Sequence, residues 1–220
     1  MKAQLKRLDL GAVERPGWEM PVHGFVILPE RGPAILADSG IGGPDEALAY
    51  WRCVNRSIAD ALAEHDMTPS DIGLVINSHL HFDHCGQNPV FRHAPFYIQR
   101  AELDRARVES PELADWYDFM GARFELLDGD AEIVPGVRVI STPGHTLGHQ
   151  CVVVDTVGGE EVLIGDAAYR LTIFRDRDLA AAGDGQAADA ESWQHSLERV
   201  DALDPSAVHF CHDTAVHTRG

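Results

Sequence analysis

Asn77-Ser78-His79-Leu80-His81-Phe82-Asp83-His84-Cys85-Gly86, residues 77–86, sets four metal-ligand side chains within six positions. The run follows Leu74-Val75-Ile76, a short apolar stretch that reads as a fully buried strand. In an extended chain, residues two apart point the same way, so His79 and His81 converge on one side. Asp83 and His84 then fall where the chain turns, and Gly86 permits a tight change of direction. Imidazole and carboxylate donors suit zinc first, with iron, manganese or cobalt as alternatives. One tetrahedral ion holding four protein ligands has no open position for chemistry. The run therefore reads as two half-sites that need partners from elsewhere in the chain.

Three later segments offer them. Thr142-Pro143-Gly144-His145-Thr146-Leu147-Gly148-His149 follows a predicted strand, Gly165-Asp166-Ala167 ends another, and Phe210-Cys211-His212-Asp213 ends the last. Each presents a donor where a loop leaves a rigid strand, the usual place for chemistry. A lone loop histidine is ordinarily solvated or hydrogen-bonded. A His-x-His-x-Asp-His run with three distant partners reads instead as a dinuclear metal site. Cys85 and Cys211 flank donors, and thiolates bind zinc, but His84 and His212 fit the pattern better. His149 is either a support for a ligand or an ordinary polar loop residue.

The remaining pattern is α+β. Residues 22–28 and 34–37 read as a hairpin about the turn Glu30-Arg31-Gly32-Pro33. A helical pattern runs from Pro44 to about His65, with Leu48, Trp51, Ile58 and Leu62 near one face. Strands are expected at 71–77, 96–99, 124–127, 132–134, 137–140, 150–155, 161–164 and 207–211, and helices at 101–107, 111–119 and 192–203, the last with Ser192 as N-cap. Residues 178–190, rich in Ala, Gly and Asp, read as a surface segment. Two sheets packed together with helices outside would bury such a set, and one domain over residues 1–220 is expected.

Composition narrows the function. Thirty-five acidic residues against 18 basic ones give a net charge of −17. Such a chain repels phosphate backbones and anionic membrane surfaces, and Lys2, Lys6 and the scattered arginines form no basic run. Nucleic acid and membrane are thus excluded as expected partners, and a small neutral substrate fits. Four cysteines without Cys-x-x-Cys spacing read as reduced and mostly buried. The start, MKAQLKRLDLG, lacks an apolar signal core, so a cytoplasmic protein is expected.

The donor runs resemble those of the metallo-β-lactamase superfamily, over nearly the whole chain. The resemblance implies a four-layer αβ/βα sandwich with metals at one edge. It assigns His79, His81 and His145 to one ion, Asp83, His84 and His212 to the second, and Asp166 as a bridge. Within the superfamily the chain is most similar to N-acyl-homoserine lactone lactonases, through 78–84, 142–146 and Asp166-Ala167-Ala168-Tyr169. That likeness implies two divalent cations and a lactone ring opened by attack of a metal-bridging hydroxide. It points Tyr169 at the substrate carbonyl and makes Asp83 or Asp166 the proton carrier to the leaving oxygen. Only eight residues follow His212, which suggests a reduced acyl pocket and admits small lactones as substrates. Trp18, Met20, Phe82, Trp116, Tyr117, Phe119 and Met120 are aromatic or Met side chains that could line such a pocket, though core or rim positions are commoner for them.

Rival readings are a glyoxalase II-like thioester hydrolase, a β-lactam hydrolase, a diiron oxidoreductase and a metal-binding protein without turnover. The first lacks room for its helical region in the 54 residues after Asp166. The second is typically exported. The third replaces a cluster histidine by a carboxylate, whereas position 81 is histidine. The fourth has no need of Tyr169 or an open bimetal edge.

Overall fold

Alternation along a few buried strands sorts the core into layers. The computed structural model describes residues 1–15, 18–182 and 185–219. One sheet carries β1 (Ala3–Arg15), β2 (Trp18–Pro29), β3 (Ala34–Ala37), β4 (Cys53–Asn55), β5 (Ile72–Ile76), β6 (Phe96–Gln99) and β7 (Phe124–Leu127). Its order is β1-β2-β3-β5-β6-β7, with β4 pairing β1. The other carries β8 (Ala131–Val134), β9 (Val137–Ser141), β10 (Gln150–Thr156), β11 (Gly159–Leu163), β12 (Ala207–His209) and β13 (Val216–Thr218). Its order is β13-β12-β11-β10-β9-β8. A single parallel pair, Ala3 with Thr156, joins the two ladders among the described residues.

In β10, Val152 and Val154 face the opposing sheet, where they meet Phe25, Ile27, Ile35 and Ile76. Cys151 and Val153 face the other way, onto Trp193, Leu197 and Val200 of a helix outside. The same parity holds in β3, with Ile35 and Ala37 between the sheets and Leu36 outside. A strand buried on both faces reads as a continuous apolar run for this reason.

The helices are α1 (Asp45–Tyr50), α2 (Ile58–Ala63), α3 (Phe82–Cys85), α4 (Arg100–Glu109), α5 (Ala114–Tyr117), α6 (Leu171–Asp176), α7 (Leu179–Ala182) and α8 (Ala190–Ala202). Ile58, Ala61 and Leu62 of α2 cover the first sheet, and α8 covers the second. This is the αβ/βα sandwich. No helix among the described residues is long and apolar enough to cross a membrane.

Several elements depart from expectation: β1 and β13 had no expected strand, and the helix expected at 111–119 is a 3-10 turn at Pro111–Leu113 followed by α5. The helix expected from 44 to 65 is two short helices separated by β4, because Arg52 turns the chain at φ 50° and Cys53–Asn55 pair with Gly11–Val13. The last long helix starts at Ala190. Its cap is Asp189, whose carboxylate accepts from the backbone N–H groups of Glu191 and Ser192. Residues 183–184 of the segment expected at the surface lie outside the described residues. All four cysteines are free, three of them buried.

Candidate metal centre

Strand direction gathers the donors. β10 runs antiparallel to both β9 and β11, and β11 runs parallel to β12, so β9, β11 and β12 end on the same side. Past those ends come His145, Asp166 and His212. The run 77–86 leaves β5 on the other sheet and enters α3, one turn long. The loops are tied together across the gap: Gln150 N–H donates to Ser78 O at 2.9 Å, and the Gln150 side-chain amide donates to Asn77 O at 2.8 Å.

The structure places all seven expected side chains together. His79 Nε2 lies 2.9 Å from His81 Nδ1 and 3.2 Å from His145 Nε2, and His81 Nδ1 lies 3.0 Å from His145 Nε2. Asp166 Oδ2 closes this group, 3.3 Å from His145 Nε2 and 3.7 Å from His79 Nε2. Asp166 Oδ1 faces the second group, 3.2 Å from His84 Nε2 and 3.1 Å from His212 Nε2. Asp83 Oδ2 stands 3.7 Å from His212 Nε2. Each group of donor atoms lies within 4.8 Å.

The donors fit divalent cations. A tetrahedral ion with bonds near 2.05 Å spaces its ligands about 3.3 Å apart, close to the separations here. Buried His84 Nε2, His212 Nε2 and Asp166 Oδ1 make no hydrogen bond, an arrangement that a cation would satisfy. Burial, then the neighbouring imidazoles, holds His79 well below its ordinary pKa, and burial with His145 beside it takes His81 to about 3. Both therefore stay neutral, the form that ligates. Burial disfavours charge on His84, but Asp166, Asp38 and Asp83 outweigh it and raise its pKa well above the usual value. Burial would raise Asp166, yet His84, His212 and His145 overcome it and keep the carboxylate ionised.

Other buried groups orient the donors. Asp38 Oδ2 lies 2.8 Å from His84 Nδ1 and accepts from Ser78 Oγ at 2.7 Å, while Asp38 Oδ1 accepts from Ser78 N–H. With Nδ1 so engaged, His84 turns Nε2 to the cluster. His212 Nδ1 donates to Pro21 O at 2.8 Å. Cys211 also lies beside Asp38 and His84, but burial pushes its thiol up to about 12 and leaves it neutral. His149 is fully buried and accepts the Asp166 N–H at Nε2, 3.0 Å away, so it supports Asp166. Gln186 donates to Asp166 O at 2.8 Å, and its own carbonyl accepts from His145 Nδ1 at 3.2 Å. Sequence reasoning missed Asp38 and Gln186. An aspartate directly after an apolar strand was a usable signal for the first; Gln186 sits in a segment with none.

A cavity of about 400 Å³ opens over the cluster, lined by Asp83, Asp166, His212 and Tyr169 and by an apolar lobe of Met20, Trp51, Phe82 and Leu113. A second, of about 510 Å³, lies across His81 and His145. Tyr169 sits edge-on between His145 and His212, with ring centroids 5.6 and 5.4 Å away, and its hydroxyl donates to Gly185 O at 2.8 Å. Of the aromatic and Met side chains considered from sequence, Met20 and Phe82 line the lobe. Tyr117 is core, Phe119 and Trp116 pack beside core clusters, Met120 is exposed, and the Trp18 side chain lies outside the described residues.

A sequence model of the metallo-beta-lactamase superfamily matches residues 17–212. The chain belongs to that superfamily. As a member it is a metal-dependent hydrolase with the α+β sandwich. It is 31% identical over 230 residues to the N-acyl homoserine lactonase of Bacillus cereus, covering 96% of this chain and 90% of that one. It is 32% identical to an N-acyl homoserine lactonase from Bacillus sp, over 89% of this chain and 82% of the other. The crystal structure of a quorum-quenching N-acyl homoserine lactone lactonase matches with TM-score 0.82 and 27% identity, over 97% and 94% of the two chains. An N-acyl homoserine lactone hydrolase with N-hexanoyl-L-homoserine bound at its catalytic metal center matches with TM-score 0.81 and 26% identity, over 97% and 95%.

Proposed function

We propose that this metallo-beta-lactamase superfamily member hydrolyses the ring ester of an N-acyl-homoserine lactone or a related small lactone, using two divalent cations, zinc first, and that it thereby acts in quorum quenching. The observation that carries the reading is Asp166, whose two oxygens each face one donor group beneath a cavity with both a polar floor and an apolar lobe. The lactonase relatives support the substrate class. His79, His81, His145 and Asp166 would hold one ion; Asp83, His84, His212 and Asp166 the other. Ions so held lower the pKa of water to about 7 and polarise a carbonyl oxygen.

The chain's own side chains do the rest. The lobe of Met20, Trp51, Phe82 and Leu113 takes the acyl arm, and the roughly 400 Å³ available is enough for one. Tyr169 Oη exchanges Gly185 O for the substrate carbonyl and donates to the oxygen as negative charge builds there. Water adds its oxygen to the carbonyl carbon, the ring C–O bond breaks, and the ring oxygen leaves with a proton. Asp83 carries that proton, since Asp166 has both oxygens committed among four imidazoles. The product is an open-chain hydroxy acid.

The test is proton release by metal-loaded protein on a panel of unsubstituted lactone, short- and long-chain N-acyl-homoserine lactones, a thioester and a β-lactam. Turnover of the acylated lactones is expected to exceed the rest. Silence on every lactone, or faster thioester cleavage, would overturn the reading.

A further inference from the structure

The three imidazoles of the first donor group come from two loops on different sheets. Their ring nitrogens converge to 2.9–3.2 Å, close to the spacing of ligands around one tetrahedral ion. Something must hold those loops at that spacing. Glu102, third residue of α4, is fully buried and stands between them. Its Oε1 accepts the Leu80 N–H at 2.9 Å, the amide that joins Leu80 to His79. Its Oε2 accepts the Thr146 hydroxyl at 2.6 Å, next to His145. Arg105 donates to Oε1 from Nη2 at 2.6 Å and holds the carboxylate in place. The loop also lies directly on α4, since a Cβ on Gly148 would come within 2.1 Å of Glu102 N.

We propose that Glu102 is a positioning residue for one ion of the pair, acting through Leu80 and Thr146 to fix the spacing of His79, His81 and His145. The inference rests on the metal reading above. The second donor group does not use this strut: His84 is held by Asp38, and His212 by Pro21 O. Loss of the Glu102 link should therefore be felt by one ion and not by its neighbour, a selectivity that a general packing role would not produce.

The experiment is stepwise zinc uptake, measured by chelator competition, in the wild type, Thr146→Val, Thr146→Ser and Glu102→Gln, with thermal unfolding of each ion-free protein alongside. Thr146→Val keeps the side-chain shape and removes the link to Oε2; Thr146→Ser restores the hydroxyl. In Thr146→Val, affinity for one ion should fall by about ten- to a hundredfold while the other stays within about twofold, the size expected for a group that orients a ligand. Glu102→Gln should do the same if it folds, and Thr146→Ser should recover wild-type uptake. Equal weakening of both ions in step with a lower melting temperature, unchanged uptake in Thr146→Val, or a Thr146→Ser variant no better than Thr146→Val would overturn the proposal. A wild type that binds no divalent ion would instead remove the metal reading on which it stands.

Discussion

Asp166 Oδ2 lies 3.3 Å from His145 Nε2, and Oδ1 lies 3.1 Å from His212 Nε2, so one carboxylate serves both donor groups. Asp166→Asn keeps the volume and loses one anionic oxygen. Elemental analysis should then find fewer than two ions per chain, with turnover near background; full activity would refute the bridge. Tyr169 is different in kind, because it is not one of the seven donors and its hydroxyl donates to Gly185 O. Tyr169→Phe should bind both ions normally and lose turnover by about 100-fold, the scale of one oxyanion donor. A normal turnover number in that variant would remove the hydroxyl from the chemistry. His23 is buried beside Arg7, and burial first, then Arg7, lowers its pKa from 6.5 to about 4. The unfolded chain takes up a proton at 6.5 that the folded chain refuses, so stability should decline as pH falls from about 6.5 toward 4. Urea unfolding across that interval checks it, and His23→Leu should show the shallower decline.

At the scale of elements, the loop 142–149 is pinned between two helices by glycine. A Cβ on Gly144 would meet Trp193 Cα at 2.4 Å, and one on Gly148 would meet the Glu102 backbone. Backbone on one side leaves no flexible tip to yield. Gly148→Ala should destabilise by about 2 kcal/mol, measured as a lower urea midpoint at unchanged slope. The same scale shows what was legible. Leu74–Ile76 of β5 and Phe96–Ile98 of β6 are unbroken apolar runs, and β7 is apolar but for Glu125, so composition places them. β1 was not recognised at all. Ala3 and Leu5 face the gap between the sheets while Leu8 and Leu10 face outward, but Lys6 and Arg7 interrupt the run. A bulge between Asp9 and Ala12 then reverses the parity, so that Val13 points outward as well. β4 is three residues within an amphipathic stretch, too short to show a period of its own. The donors were legible because ligand-type residues crowd together at strand ends. Glu102 and Gln186 were not, because a buried polar residue that orients a neighbour has no spacing rule; Asp38 offered only its place directly after an apolar strand.

Across the whole molecule, each donor group draws on both sheets. His79 and His81 follow β5 whereas His145 and Asp166 follow β9 and β11; Asp83 and His84 face His212 and Asp166 in the same way. Ions held there stabilise the docking of one sheet on the other by mass action. Chelation should lower the melting temperature, and the loss should be largest at the strand ends near residues 77–86 and 142–150 in hydrogen exchange. Uniform change across the fold would contradict it. The opposite end is built otherwise. Ala3 pairs with Thr156, six residues along β10 from Gln150, or about 20 Å at strand rise. The protein is thus bound like a book, with a paired-strand spine at one end and, once ions bind, a clasp at the other. Undoing the clasp would loosen the pages at the fore-edge, the very margin where a reader must enter.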